Sequence, residues 1–209
     1  MNPVTLAIPK GRINRVLLPL LERAGIDCGC LKTDDRTLIR QTPDGSLRFL
    51  LLKPDDVPTY VEYGAAELGI SGRDTLMERG YNLYQPVDLG IGKCRMVLAA
   101  PKNRPVPELP RIATKYPRIA RNYYASRGLH PEVIYIQGSV ELGPLVGLCD
   151  AIVDLVETGS TLRKNDLVER EVISEVSSVL VANRALFKLR RTVLQPLIER
   201  LRQVVNTAD

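Results

Sequence analysis

Short apolar segments that are typical of β-strands alternate with segments of helical periodicity along the chain. The alternation begins with VTLAIP and continues with INRVLLPLLERAG, where apolar residues recur three or four positions apart. The segments TLIRQ and SLRFLLL then flank TPDG, a turn sequence, and so predict a hairpin. Such alternation predicts an α/β fold with largely parallel sheets.

The order of these segments predicts two α/β lobes, and the chain passes from one lobe to the other twice. A second set of strands and helices begins near Cys94 and ends near Ser177, after which SSVLVAN and a long final helix remain to return to the first set. We expect lobe I to comprise residues 1–91 and 178–209, and lobe II to comprise residues 92–177. The ligand site is expected in the cleft between the lobes.

The composition excludes several classes of protein. No apolar run approaches the roughly 20 residues that span a membrane, and the N-terminus lacks the pattern of a signal peptide, so we expect a cytoplasmic protein without a membrane partner. Four cysteines without a Cys-x-x-Cys pair and a single histidine disfavour a zinc site and a histidine-dependent triad. The absence of tryptophan and of a dense basic stripe disfavours a nucleic-acid partner. The net charge of +5 suits an anionic ligand, and it equally suits an ordinary basic surface.

Two acids and a turn of small hydroxyl residues follow one another in IVDLVETGSTLRKNDL, residues 152–167. If DAIVDLV is a strand, Asp154 and Glu157 lie at its carboxyl end, where open α/β sheets bind ligands. The turn TGST, with Gly159, then leads into a helix start, where backbone N–H groups can bind phosphate. Acids that accept hydrogen bonds from vicinal hydroxyls beside such a turn suit a 5-phosphoribosyl group. The same residues also fit a plain helix N-cap with a solvated pair of acids.

Two cations flank a glycine in the segment AIPKGRI. Lys10 and Arg12 fall at the start of the first predicted helix, where the helix dipole disfavours each cation by about 0.3–1 kcal/mol. Their position beside Gly11 therefore favours an anionic ligand. The alternative is that both side chains extend into solvent, where screening makes the cost small.

Further candidates for phosphate contacts lie between the predicted hairpin and the next strand. Ser71 and Gly72 stand at a strand-to-helix turn, which fits a phosphate contact or an ordinary cap. Arg36 and Lys53 lie on or beside the hairpin, and they are candidates for binding pyrophosphate. Exposed hairpins also carry such charges without a ligand.

Taken together, these segments resemble the ATP phosphoribosyltransferase family. The motif ELGPLVGLCDAIVDLVETGSTL, residues 141–162, is similar to the family's phosphoribosyl-binding motif, and PKGR and DDVPTYVEYGAAELGISGRD are similar to its N-terminal lobe. The resemblance implies a bilobed fold like that of type II periplasmic binding proteins. It also implies the first step of histidine biosynthesis, in which adenine N1 of ATP displaces pyrophosphate from phosphoribosyl pyrophosphate, with inversion at ribose C1. Mg²⁺ is expected to be carried by the pyrophosphate donor rather than by protein side chains.

The resemblance also assigns site residues. Catalytic roles fall to Asp154, Glu157, Arg36 and Lys53. Phosphoribosyl pyrophosphate is expected to contact Asp154, Glu157, Thr158, Gly159, Ser160, Thr161 and Leu162. ATP and pyrophosphate are expected to contact Lys10, Gly11, Arg12, Ser71, Gly72, Arg73 and Glu141. Lys53 departs from the family pattern RPxD, because lysine keeps the charge of arginine but loses its two-pronged grip on phosphate.

The partners implied by the resemblance are a second copy of the chain and a regulatory subunit that looks like a histidyl-tRNA synthetase. The short members of the family work with that subunit, so we expect a homodimer within a hetero-octamer, with histidine control supplied by the partner. Two alternatives remain open from the residues. One is a bilobed small-molecule-binding or sensor module, and the other is a phosphoribosyltransferase for a different base.

Overall fold

The computed structural model describes residues 2–32 and 35–207, which form two compact units. Unit 1 contains the described residues of Met1–Leu76, Gly80–Gly92 and Ser177–Asp209, and unit 2 contains Met77–Arg79 and Lys93–Val176. Each unit has its own β-sheet with hydrophobic clusters on its faces. Within the described part of the chain, no helix has the length and apolarity needed to cross a membrane.

The elements follow the alternation expected from the sequence. The strands are β1 (Val4–Pro9), β2 (Ile39–Gln41), β3 (Leu47–Leu52), β4 (Leu68–Gly72), β5 (Tyr84–Asp88), β6 (Cys94–Pro101), β7 (Arg111–Thr114), β8 (Glu132–Tyr135), β9 (Ala151–Val156), β10 (Leu167–Val176) and β11 (Ser178–Ala182). The helices are α1 (Arg12–Arg23), α2 (Val57–Glu62), α3 (Arg73–Arg79), α4 (Pro117–Ala125), α5 (Leu142–Leu145), α6 (Ser160–Lys164), α7 (Arg184–Leu189) and α8 (Arg191–Asn206). Two 3-10 turns cover Gly29–Leu31 and Pro54–Asp56.

The sheet of unit 1 has the strand order β2-β3-β1-β4-β11-β5. Strand β1 runs parallel to β3 and β4, whereas β2 pairs with β3, and β11 with β4 and β5, in antiparallel fashion. All six residues of β1 are buried because apolar clusters cover both faces of this strand. The sequence VTLAIP accordingly reads as a nearly continuous apolar run, which is typical of such central strands.

Helices α1 and α8 cover one face of this sheet. The buried residues of α1 are Leu17, Leu20 and Leu21, and they belong to the same hydrophobic cluster as the buried stripe of α8. Fully burying a leucine side chain contributes about 1.5–3 kcal/mol, so this layer is a major source of the unit's stability. The buried stripe of α1 is narrower than its apolar spacing predicts, because Val16 remains 47% exposed.

The sheet of unit 2 has the strand order β10-β6-β9-β7-β8. Strand β7 runs parallel to β8 and β9, whereas β6 is antiparallel to β9 and β10. Helix α4 packs on one face through Ile119, Ala120 and Tyr124, and the other face is covered in part by Leu162 of α6. The arrangement places the carboxyl ends of β7 and β9 side by side.

The structure corrects two expectations about these elements. The sheets are mixed rather than largely parallel, since the antiparallel pairs include β2-β3, β4-β11 and β6-β9. Apolar periodicity identifies strands but carries no information about their direction, which explains the error. The segment VELGPLVGL, residues 140–148, also predicts a helix, but the structure has only the four residues of α5 there, because Gly143, Pro144 and Gly147 provide little helical propensity.

Candidate functional site

In unit 1, the residues singled out from the sequence collect at one edge of the sheet. Strands β1 and β3 are parallel, with Pro9 opposite Leu52, and the amide of Lys10 donates a hydrogen bond to the Leu52 carbonyl at 2.8 Å. Lys10 and Lys53 therefore follow paired residues and lie beside one another. Both are exposed. Two neighbouring ammonium groups at a strand edge attract an anion.

The start of α1 lies at the same edge. Gly11 precedes the helix with φ 87°, a backbone conformation that favours glycine although the space around it is open. The first turn of α1 contains no acid, and no side chain caps it. Its N–H groups and the adjacent Arg12 therefore offer positive charge to a ligand.

Arg36 is brought to this edge by the hairpin. Strand β2 is antiparallel to β3, with Ile39 opposite Leu50, and the amide of Leu51 donates to the Leu38 carbonyl at 2.8 Å. The start of β2 therefore adjoins the end of β3. Arg36, exposed and just before β2, belongs to the same end of the hairpin as Lys53.

The end of β4 supplies the last part of this edge. The Ser71 side chain is only 2% exposed, and its hydroxyl donates to the Gly72 carbonyl at 3.3 Å. The carboxylate of Asp74 folds over Gly72, so close that a Cβ added there would lie 2.2 Å from it. Arg73 forms an ion pair with Asp88 at 2.9 Å. Because both partners are partly exposed, the pair is worth about 1 kcal/mol or less, and an anionic ligand can compete for the guanidinium.

In unit 2, Asp154 and Glu157 lie at the carboxyl end of β9, as the sequence predicts. Asp154 is half-buried, and its Oδ1 accepts a hydrogen bond from the Leu155 amide at 2.8 Å. The pKa of this carboxyl is raised from 3.8 to about 6, and loss of hydration is the largest cause of the rise. The negative charge of Glu141 contributes to the rise, whereas the hydrogen bond from the Leu155 amide and the positive charge of Lys115 oppose it. The structure thus brings Glu141 close enough to Asp154 for their charges to interact.

Lys115 was not identified from the sequence. It follows Thr114, which is paired in register with Val153, so Lys115 adjoins Asp154 on the neighbouring strand. The Thr114 hydroxyl fixes this position, since it donates to the Val153 carbonyl at 2.5 Å and accepts from the Tyr116 amide at 2.8 Å. The sequence does show a lysine at the end of the strand segment RIATK. Its neighbour Asp154, however, lies 39 residues further along the chain, so the sequence alone does not bring the two together.

The turn after Glu157 presents small hydroxyl residues to solvent. Thr158, Ser160 and Thr161 are exposed, and Gly159 has φ 70°. The Thr158 hydroxyl donates to the Ser160 hydroxyl at 3.2 Å.

Leu162 differs from its neighbours because its side chain is 4% exposed and belongs to the core of unit 2. Its backbone N–H is therefore the part of Leu162 that can face a ligand. Helix α6 is only five residues long, so the hydroxyl and amide groups matter more here than a helix dipole.

Sequence reasoning also missed two charged side chains that lie beside this turn, those of Arg163 and Glu169. Arg163 Nη1 donates a hydrogen bond to the Thr158 carbonyl at 3.0 Å. A Cβ added to Gly159 would lie 3.1 Å from Arg163 Nη1 and 3.4 Å from Glu169 Oε1. Glu169 in turn accepts from Arg95 Nη2 at 3.0 and 3.2 Å. Glycine at 159 thus provides both the backbone conformation and the space for this packing.

Comparison with known proteins identifies the family. The family model described as "HisG: ATP phosphoribosyltransferase" matches residues 53–203. An ATP phosphoribosyltransferase from Sorangium cellulosum (strain So ce56) is 61% identical over 201 residues, covering 96% of this chain and 95% of that protein. The chain belongs to the ATP phosphoribosyltransferase family. The predictions of the family and of a transferase of histidine biosynthesis are confirmed.

Solved structures agree with this assignment. A chain of the ATP phosphoribosyl transferase (HisG:HisZ) complex from Thermotoga maritima has a TM-score of 0.84 and 36% identity, with 99% of each chain covered. The arginine-bound ArgBP from T. maritima has a TM-score of 0.59 at 13% identity, covering 100% of this chain and 96% of that one, and shows a shared fold alone. The predicted fold class of two α/β lobes, similar to type II periplasmic binding proteins, is confirmed.

ATP phosphoribosyltransferases generally need a metal ion. In residues 2–32 and 35–207, no three side chains of His, Cys, Asp or Glu lie together as a metal site. A metal ion that is held by phosphate oxygens and water needs no such cluster of protein side chains.

Proposed function

We propose that this chain transfers the 5-phosphoribosyl group of phosphoribosyl pyrophosphate to N1 of ATP, which is the first step of histidine biosynthesis. The observation that carries the proposal is the end of β9 in a chain of this family, where Asp154 lies in the strand and Glu157 directly precedes an exposed turn of hydroxyl residues. Acids suit the ribose hydroxyls, and the turn suits the 5-phosphate.

In the proposed complex, the residues of unit 2 hold the donor sugar. Asp154 and Glu157 accept hydrogen bonds from the ribose hydroxyls. The hydroxyls of Thr158, Ser160 and Thr161, with the N–H groups of Gly159 and Leu162, bind the 5-phosphate. A carboxylate repels phosphate but accepts from hydroxyls, so the order of residues along the chain fixes the orientation of the sugar.

The anionic groups of ATP and pyrophosphate are assigned to the sheet edge of unit 1. Lys10, Arg12, Arg36 and Lys53 supply positive charge, and the N–H groups after Gly11 supply hydrogen bonds. Ser71, Gly72 and Arg73 complete this set, with Ser71 limited to backbone contacts because its side chain is buried. Glu141 is proposed to contact ATP. Lys53 binds as a point charge without the two-pronged geometry of an arginine.

The proposed step is a direct displacement at ribose C1. The bond from adenine N1 to C1 forms as the C1–O bond to pyrophosphate breaks, and the electron pair leaves with pyrophosphate. The configuration at C1 inverts, and no enzyme nucleophile is required. Catalysis comes from holding both substrates in line and from neutralising the leaving group. The ionised Asp154 carboxylate stabilises the cationic character of the ribose, and each 1.36 kcal/mol of such stabilisation changes the rate about tenfold.

Mg²⁺ is proposed as the metal ion, brought to the enzyme by the pyrophosphate of the donor. When bound, it neutralises charge on the leaving group. The residues that would adjoin the charged pyrophosphate are Arg36 and Lys53, which bind its oxygens rather than the ion. In this proposal the cationic side chains bind the phosphate oxygens, and the metal ion needs no protein side chain of its own.

The proposed assembly is a homodimer that associates with a histidyl-tRNA-synthetase-like regulatory subunit in a hetero-octamer. The support is the similarity to a chain of the HisG:HisZ complex of T. maritima, at 36% identity over 99% of both chains. Histidine control is assigned to that partner. We also propose that residues 1–91 with 178–209 and residues 92–177 are the two lobes of the enzyme, and that it acts in the cytoplasm.

The test is a product assay with purified protein. ATP, phosphoribosyl pyrophosphate and Mg²⁺ are mixed with an inorganic pyrophosphatase, and phosphoribosyl-ATP is sought by mass spectrometry. Parallel reactions replace ATP by free purine and pyrimidine bases. Product from ATP supports the proposal. Product from a free base alone would support a phosphoribosyltransferase of different specificity, and no product from any acceptor would favour a binding module.

A further inference from the structure

Arg163 contacts the backbone of the turn proposed to bind the 5-phosphate. Its Nη1 donates to the carbonyl oxygen of Thr158 at 3.0 Å, and this carbonyl belongs to the peptide group that joins Thr158 to Gly159. Arg163 belongs to helix α6, and its side chain reaches back over the turn to a residue five positions earlier in the chain. The guanidinium is therefore fixed to the backbone of the turn.

A peptide group before glycine is unusually free to rotate. Glycine adopts positive and negative φ with similar ease, so the Thr158–Gly159 peptide can flip without a steric penalty from a side chain. A flip exchanges the directions of the carbonyl oxygen and the Gly159 N–H. In one orientation the N–H is available to an anion, and in the other a partial negative charge takes its place.

Charged groups lie beside Gly159 on the side of the turn that Arg163 contacts. Arg163 Nη1 and Glu169 Oε1 both lie within 3.4 Å of the point where a Cβ of Gly159 would stand. Glu169 is paired with Arg95 at 3.0 Å, so its charge is balanced by a second cation from β6. The backbone of the turn is thus enclosed on this side by fixed charged groups rather than by water alone.

We propose that Arg163 is a positioning residue that holds the Thr158–Gly159 peptide in the orientation required for 5-phosphate binding. The inference rests on the proposed function, because it assumes that the turn binds phosphate. Arg163 acts through the backbone carbonyl that it contacts.

The first measurement is the affinity for phosphoribosyl pyrophosphate by calorimetry. Arg163→Ala is expected to weaken binding about tenfold, in line with the loss of one hydrogen bond involving a charged group. Arg163→Lys should recover part of the loss, since an ammonium can donate to the same carbonyl. Lys164→Ala removes the same charge from the next, exposed position and should change the affinity less than twofold. Binding of ATP should be unchanged in all three variants.

The second measurement observes the peptide itself. Thr-Gly occurs once in the sequence, so carbonyl-¹³C threonine with ¹⁵N glycine gives a single NMR signal for the Thr158–Gly159 peptide. In Arg163→Ala without ligand, this signal should show exchange on the microsecond-to-millisecond timescale, which the wild type and Lys164→Ala should lack.

Two outcomes would overturn the inference while leaving the proposed function intact. One is unchanged donor affinity in Arg163→Ala. The other is weaker binding with an unaltered Thr158–Gly159 signal, which would make Arg163 a direct phosphate ligand. Failure of the wild type to bind the donor would instead contradict the proposed function, and with it this role of Arg163.

Discussion

The Asp154 carboxyl combines burial with a proposed charged role. Its burial at the end of β9, reinforced by Glu141, raises its pKa from an ordinary value of 3.8 to about 6. The folded protein without substrate therefore holds a carboxylate at neutral pH in surroundings that disfavour it. A cationic ribose placed beside this group would recover the lost electrostatic stabilisation. The charged carboxylate of Asp154 therefore lowers the stability of the folded protein, and the same charge serves the proposed reaction.

Replacing Asp154 by asparagine should stabilise the protein at high pH. A carboxyl whose pKa rises on folding contributes most stability below its unfolded pKa, and this contribution is lost as the pH rises through about 6. Asparagine carries no such penalty, so the free energy of unfolding of Asp154→Asn should exceed that of the wild type by about 3 kcal/mol at pH 8. Denaturant unfolding at pH 8 and pH 4.5 should show a smaller gain at the lower pH. An equal gain at both values would contradict the assigned burial effect.

The same substitution should reduce turnover. Asparagine keeps the shape of the side chain but removes the negative charge, so kcat should fall at least about tenfold. Asp166→Asn is the matched control, because Asp166 is exposed and asparagine tolerates its positive φ of 53°. Normal turnover in folded Asp154→Asn would show that the charge is not used in the transition state.

Thr161→Val should weaken binding of phosphoribosyl pyrophosphate. Thr161 is exposed in the turn, and loss of one hydrogen bond to a phosphate oxygen should cost about 1.5–3 kcal/mol. Calorimetry on Thr161→Val and on Thr192→Val, an exposed threonine of α8, gives the comparison. Donor affinity that is equal in the two variants would remove Thr161 from the site.

At the scale of elements, the sequence predicts those features that depend on neighbours along the chain. The acids and the TGST turn at the end of β9 are local, and so is the periodicity of α1. Strand direction is not local, so the antiparallel pairing of β6 with β9 was missed. Lys115 was missed for the same reason, since it adjoins Asp154 only through the pairing of β7 with β9. Arg163 lies close in sequence to Thr158, but its bond requires the turn geometry at Gly159.

Helix α1 offers a direct test of how an element is held. Leu17 is fully buried, whereas Val16 beside it is 47% exposed, although both belong to the apolar pattern of the sequence. Leu17→Ala should lower the free energy of unfolding by about 2–5 kcal/mol, because it leaves a cavity against α8. Val16→Ala should change it by less than about 1 kcal/mol. Denaturant unfolding of the two variants measures this difference. Similar losses of unfolding free energy in both variants would show that α1 is rotated about its axis and buries Val16 as well.

At the scale of the whole molecule, the two units divide the proposed binding roles. The described residues of unit 1 carry Lys10, Arg12, Arg36 and Lys53 at the edge of one sheet, and those of unit 2 carry the acids and the hydroxyl turn. Positive charge lies where phosphates are assigned, and negative charge lies where ribose hydroxyls are assigned. Regulation is the remaining role at this scale, and it is assigned to a separate subunit.

Histidine should inhibit the enzyme through that partner. With the histidyl-tRNA-synthetase-like subunit present, added histidine should lower the rate of phosphoribosyl-ATP formation, whereas the isolated chain should be unaffected at the same histidine concentration. Steady-state assays with and without the partner make the comparison. Full inhibition of the isolated chain would place the control site within these residues instead.

The proposed reaction joins N1 of ATP to C1 of the donor ribose with inversion. The direct measurement is NMR of the product formed from [1-¹³C]phosphoribosyl pyrophosphate and ATP labelled with ¹⁵N at N1. The product should show a one-bond coupling between the labelled carbon and nitrogen, and a C1 configuration opposite to that of the donor. A product without this coupling, or with retained configuration, would contradict the proposed reaction.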